Sequence, residues 1–158
     1  MHAFRYLAAT ALTVFVATPA LALEVNKQVT VDATPAQAWA AIGDFCAIGG
    51  WHPAIEACVL GEKDGKTMRT LSLKGGGEIV EELVERDEDD MSYTYRIIES
   101  PLPVANYEST IEVEDEGGTT IVWSGEFDAK GAPDADAVGV IDGIYQSGLD
   151  SLAAKAKP

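Results

Sequence analysis

The chain reads as an α+β domain. One strand, a short helical pair, six further strands and a long terminal helix follow one another, and the antiparallel sheet buries one face against that helix. Three observations carry this. Tyr107, Ser109, Ile111 and Val113 alternate with Glu108, Thr110, Glu112 and Glu114, the period of a strand with one wet and one covered face. Thr34, Pro35 and Gln37 supply a cap, a first-turn proline and a glutamine placed to reach back to the cap. Ala137, Ile141, Ile144, Gly148 and Leu152 share one face of a single helix over residues 133–155. A strongly curved sheet closed on such a helix leaves a cavity between the two.

The first strand sets Val25, Val29 and Val31 against Asn26, Gln28 and Thr30. The capped helix follows at once, with Ala38, Ile42 and Phe45 on one side, and Gly49-Gly50 closes the helical region. Residues 55–60 form the next strand, 61–65 a turn, and 67–73 a third strand. The segments 79–86 and 92–98 pair next. Both faces of the first carry an acid and a valine or leucine, so periodicity leaves its register open. Ile121, Trp123 and Phe127 repeat the period of two after the Glu116-Gly117-Gly118 turn. In the terminal helix Asp134 and Asp136 lie near the positive end of the dipole and Lys155 near the negative end. Gly139, Gly143 and Gly148 each cost about 1 kcal/mol relative to alanine, which implies close backbone approach or room for something bound.

Residues 1–22 have a cationic start at Arg5, an apolar stretch, Pro19 and an Ala20-Leu21-Ala22 ending, the pattern of a cleaved secretory signal. The apolar run is too short to span a bilayer, so a soluble periplasmic or secreted protein is expected after cleavage near Ala22. Residues 23–158 form one acidic ligand-binding-sized domain: cleavage leaves ten of the 11 basic side chains against all 26 acidic ones, a net charge of −16. That charge argues against nucleic acid and anionic membrane surfaces as partners. It suits a well-solvated surface or an acidic face that steers a cationic partner. An oxidising compartment makes a Cys46–Cys58 disulfide the expectation, worth roughly 3 kcal/mol on the chain-entropy model.

The elements come with a set of residues that carry a resemblance: Ala38, Ile42 and Phe45, then Trp51-His52-Pro53 with Ile55 and Cys58, Glu81 and Leu83, and Asn106-Tyr107-Glu108-Ser109. Across residues 23–158 the chain resembles the Bet v 1-like or START-like (SRPBCC) superfamily, of the polyketide cyclase/dehydrase and lipid-transport type. The resemblance implies a helix-grip fold, with a curved seven-stranded antiparallel sheet around the C-terminal helix and two short helices after the first strand. Plant abscisic-acid receptors are distant members, and there the residues matching Glu81, Tyr107 and Ser109 point into the ligand cavity. This resemblance turns Glu81 inward. His52 stands where those receptors carry a ligand-pairing lysine, and Lys74-Gly75-Gly76-Gly77 stands at their gate loop; neither motif is reproduced. Among bacterial members the chain is similar to an exported subgroup that includes the accessory protein of methanol dehydrogenase, which implies a periplasmic protein partner as one alternative.

His52 is the one side chain of residues 23–158 whose ordinary pKa lies near neutrality. It is a candidate general base, a ligand contact, or a residue that fixes the end of the short helix. Glu81 is a candidate acid if burial holds its proton, or one more solvated carboxylate. Tyr107 and Ser109 offer hydroxyls to a ligand or to each other. Trp123, Phe127, Tyr93, Tyr95, Val140, Ile141 and Ile144 are candidate cavity walls or plain core. No hydrolase signature surrounds any serine, no metal-ligand cluster is visible, and no cofactor is implied. Gly75-Gly76-Gly77 sits in a hairpin connection and lacks the strand-to-helix setting of a phosphate loop. The leading expectation is an exported binding protein for a small, mostly apolar or amphipathic molecule. The alternatives are a cyclase or dehydratase using His52 with Glu81, and an accessory protein that docks on a dehydrogenase or electron carrier.

Overall fold

The computed structural model describes residues 22–156; the proposed signal segment lies outside them except for Ala22. The order of elements is β1 (Leu23–Val31), α1 (Pro35–Ile42), a 3₁₀ turn (Ala47–Gly50), β2 (Ile55–Lys63), β3 (Lys66–Leu73), β4 (Glu78–Asp87), β5 (Ser92–Glu99), β6 (Val104–Asp115), β7 (Thr119–Ala129) and α2 (Asp134–Lys155). All seven strands form one antiparallel sheet in the order β1-β7-β6-β5-β4-β3-β2. This is the helix-grip arrangement, and α2 lies chiefly over β1 and β7. Among the described residues no helix is long and apolar enough to cross a membrane.

Local chemistry explains the joints. At α1 the Thr34 hydroxyl accepts from the Gln37 N–H at 3.3 Å, and the Gln37 side-chain oxygen accepts from the Thr34 N–H at 2.8 Å, a complete capping box. The β2–β3 turn places Asp64 and Gly65 at φ of 53° and 77°, the left-handed pair that matches the twist of a two-residue hairpin.

The undecided register of β4 has a physical cause. Glu81 pairs with Ile97 and Leu83 with Tyr95, but Val80 pairs with Glu99 and Glu85 with Thr94. One residue, Ile98, is therefore extra in β5, and one, Val84, is extra in β4. Each bulge reverses which face the following residues take. Ile79 and Glu81 point into the core, whereas Val84 and Ile98 are 39% and 48% exposed. A third bulge at Asn106 in β6 has φ of 51°, and its side-chain amide donates to Asp128 at 2.7 Å. Asparagine tolerates that conformation better than most residues.

The terminal helix buries Ala137, Ile141, Tyr145, Gly148, Leu149 and Leu152. Tyr145 thus replaces Ile144 at the centre of the buried face, and Ile144 sits half-buried at its border. Of the three helical glycines only Gly148 meets a close neighbour. A Cβ there would fall 2.6 Å from the Trp123 ring and 2.8 Å from the His52 ring, while Gly139 and Gly143 face open space.

Candidate functional site

Between α2 and the concave side of β3–β5 lies a cavity of about 340 Å³. Leu71, Ile79, Ile97, Trp123, Ile141 and Ile144 supply apolar wall, and Ala54 with Lys74-Gly75-Gly76 borders it at the β3–β4 connection. Four further lining side chains carry polar groups: His52, Glu81, Tyr95 and Tyr107. A larger cleft, about 560 Å³, opens where the β5–β6 pairing ends beyond Arg96 and Glu108. Its lining includes Arg96, Glu99, Glu108 and Lys130, so it lacks the apolar lining of the first, and the site is placed in the smaller cavity.

The structure brings together His52, Glu81, Tyr107, Trp123, Ile141 and Ile144 from the sequence candidates, and adds Tyr95 from the wall set. Three expectations are corrected. Val140 faces away from the cavity on α2 and is 38% exposed, because the helix is rotated toward Tyr145. Phe127 is buried behind the wall, stacked on Tyr107 at 6.0 Å. Ser109 is buried as well but does not line the cavity; its hydroxyl accepts from Tyr145 and Trp123 and donates to the Ser124 carbonyl.

His52 is held on both sides. Its Nδ1 accepts from the Ala54 N–H at 3.2 Å, so Nε2 carries the proton and donates to the Ile144 carbonyl of α2 at 3.1 Å. The Trp51 carbonyl next to it accepts from Ser151. Neither ring nitrogen is free to act as a base without giving up a backbone partner. Burial, opposed in part by the Ile144 carbonyl, pushes the imidazole pKa below its ordinary value, and Arg69 and Lys74 add to the shift.

This gives stability a pH dependence of known sign. The unfolded chain takes up the His52 proton first, so the contribution of His52 is lost as pH falls below about 6.5, with a slope of at most about 1.4 kcal/mol per pH unit. Glu81 and Glu112, whose carboxyls burial pushes upward, act in the opposite sense above their ordinary range. The His52 share is therefore the difference between wild type and His52→Gln in urea unfolding between pH 7 and pH 5. Wild type should lose stability relative to the variant on acidification, and parallel profiles would contradict the assignment.

Glu81 has a partner the sequence reading did not include. Arg69 lies directly opposite it across β3 and β4, and its Nε donates to the carboxylate at 2.5 Å. Arg69 is 0% exposed; it also donates to the Phe45 carbonyl and lies 4.0 Å over the Phe45 ring and 4.8 Å over that of Tyr95. Burial disfavours both charges. It pushes the Glu81 carboxyl upward despite Arg69, while Glu81 keeps the guanidinium protonated. A signal was available: Leu71 and Leu73 share the parity of Arg69, so an inward Leu71 puts Arg69 on the covered face of the strand.

The remaining polar groups form a buried chain. Tyr107 and Tyr145 share a 2.5 Å contact, Tyr145 donates to Ser109 at 2.8 Å, and Ser109 donates to the Ser124 carbonyl at 2.6 Å. Trp123 donates to both Tyr95 and Ser109, at 3.1 and 3.0 Å, while its indole stacks on Tyr145 at 4.6 Å. Gly125 makes room for this arrangement, since a Cβ there would fall 2.2 Å from the Tyr145 hydroxyl. Burial keeps all three phenols protonated, that of Tyr145 with a pKa pushed up to about 12. Among the described residues no group of His, Cys, Asp and Glu is placed to hold a metal ion.

Fold and site together define a helix-grip protein with a largely apolar cavity between sheet and helix. Its sequence places it more narrowly: the model of the family described as polyketide cyclase/dehydrase and lipid transport matches residues 22–157, and the chain belongs to that family. Among solved structures it is similar to XoxI from Bacillus cereus, with 32% identity over 83% of this chain and 93% of that one and a TM-score of 0.78. A protein from Thermobifida fusca is 33% identical over 84% of this chain and 92% of its own, with a TM-score of 0.72. The Zhui aromatase/cyclase from Streptomyces shares the fold at 17% identity, over 85% of this chain and 93% of that one, with a TM-score of 0.68. The search of curated proteins found no match.

Proposed function

We propose that this protein binds a small, mostly apolar molecule between its sheet and α2. The observation that carries this is the cavity itself: a largely hydrocarbon-lined space of about 340 Å³ with few polar groups, most of them already engaged by the protein. Apolar enclosure supplies affinity, and a few fixed polar groups set orientation. A proton-transfer enzyme is supported less well, because His52 and Glu81, its candidate base and acid, are both tied to other groups. Export is supported by the signal-like residues 1–22 and agrees with the Cys46–Cys58 bond.

Native mass spectrometry of the protein purified from its own cells tests the binding reading. A reproducible extra mass, released on denaturation, is the expected result. Protein recovered empty that also takes up nothing from a lipid and metabolite extract would remove it.

A further inference from the structure

The direction of the buried hydroxyl chain is set by its far end. The Ser109 proton goes to the Ser124 carbonyl, so Ser109 accepts from Tyr145; the Tyr145 proton is thereby used, and Tyr107 must donate to Tyr145. Each phenol proton is spent in turn until the chain reaches Tyr95. The Tyr95 oxygen accepts from Trp123; of the acceptors near its own proton, the Ser109 oxygen already takes bonds from Trp123 and Tyr145, and the Tyr107 oxygen lies 3.4 Å away. That is well beyond the usual O–H···O distance of about 2.7–2.8 Å. The chain therefore ends, at the two tyrosines whose rings line the cavity, with one donor on Tyr95 and one acceptor lone pair on Tyr107 left poorly matched.

We infer that the molecule held in the cavity carries a hydroxyl, phenolic or alcoholic, which accepts from the Tyr95 hydroxyl and donates to the Tyr107 oxygen. A hydroxyl is the simple group that answers both ends at once. A carbonyl or ether takes only the Tyr95 proton and leaves Tyr107 without its acceptor's partner. A carboxylate at this end of the cavity would lie beside Glu81 in a strongly acidic protein; Lys74 borders the cavity at the β3–β4 connection, and Arg69, one of whose terminal nitrogens has no partner among the described residues, does not line it. His52 does not compete for the hydroxyl, because both its nitrogens are satisfied by backbone. This inference rests on the binding reading above and adds the functional group of the ligand.

The test is equilibrium dialysis with 2-naphthol, 2-methoxynaphthalene and naphthalene, three probes of one shape that differ in donor and acceptor. Wild type should hold 2-naphthol about ten-fold more tightly than the methyl ether, the worth of the one well-made neutral hydrogen bond to Tyr107 that the ether lacks. In Tyr95→Phe naphthol and its ether should both lose affinity relative to naphthalene, because both accept from the Tyr95 hydroxyl, while the advantage of naphthol over the ether, which is its bond to Tyr107, should persist. Trp123 keeps its bond to Ser109 in that variant, so the wall retains its support. Bound 2-naphthol should also emit chiefly from its neutral form, because a naphthol held on Tyr107 away from water cannot lose its proton in the excited state; this readout needs no variant. Equal affinity for naphthol and its ether, or a naphthol-to-naphthalene affinity ratio that Tyr95→Phe leaves unchanged, overturns the hydroxyl assignment and leaves the binding reading standing. Failure of all three probes to bind overturns both.

Discussion

Arg69→Met is expected to cost the fold about 3–5 kcal/mol, and Glu81→Leu a similar amount, because each leaves the other charge buried without its partner. Arg69 is 0% exposed and Glu81 4%, so neither group faces bulk water. The two single variants should differ in acid. In Arg69→Met the stranded carboxylate can take a proton, so stability is highest at low pH and falls as pH rises past about 4.5 toward the raised pKa of Glu81. In Glu81→Leu the guanidinium cannot shed its proton, and no such relief appears. Arg69→Met/Glu81→Leu should regain most of the loss, since a buried ion pair replaced by apolar groups of like size is often neutral or stabilising. Urea midpoints for the four proteins at pH 5 and pH 7 decide it. A double variant no better than the singles would show that the cationic stacking on Phe45 and Tyr95, and not the charge pair, is what the core depends on.

Reduction of the Cys46–Cys58 bond is the second large effect, with an expected loss of about 3 kcal/mol from the freed loop. The bond joins the segment after α1 to β2, an edge strand with β3 as its one neighbour. Their Cα atoms are 5.6 Å apart, and the enclosed loop carries Ile48, Trp51 and His52, three of the groups that pack around or beside the cavity. Beyond Cys58 the edge strand has little cover, with Val59 65% and Leu60 55% exposed. Thermal unfolding with and without reductant measures the loss, and a Cys46→Ala/Cys58→Ala variant should match the reduced protein. If reduction changes the midpoint by less than 1 °C, the 3₁₀ turn and β2 are held by packing alone and the entropic account fails.

Much of the fold was legible because local and tertiary demands agree. The Thr34–Gln37 cap, the two-residue alternation of β1, β6 and β7, and the position of α2 each rest on a pattern that one element carries by itself. The register of β4 was not legible, since the extra residues Val84 and Ile98 reverse the alternation in a way that only strand pairing reveals. Of the site, the sequence and the family resemblance together led to His52, Glu81 and Tyr107, but missed what they touch. Arg69 was readable from its parity with Leu71, yet a buried guanidinium is rare enough that composition points the other way. Tyr145 was missed because a shift of one residue along a helix moves the buried face by about a quarter turn, enough to exchange Ile144 for Tyr145 and to send Val140 to the surface. Gly148 was recognisable as a costly glycine, but only the nearness of Trp123 and His52 separates it from Gly139 and Gly143.

The strand order has a kinetic side. Five of the six pairings join strands that follow each other in the chain and can zip up as successive hairpins, from β2–β3 through β6–β7. The sixth closes Leu23 onto Phe127 and Val31 onto Thr119, across nearly the whole domain, and α2 comes later still. A chain made from its N-terminus therefore carries β1 unpaired until β7 has been synthesised, and its core uncovered until α2 follows. Loop-closure entropy is met before the contacts that repay it, so the pairing of β1 with β7 carries the largest closure cost of the six, and a chain ending before β7 has no native partner to offer its first strand.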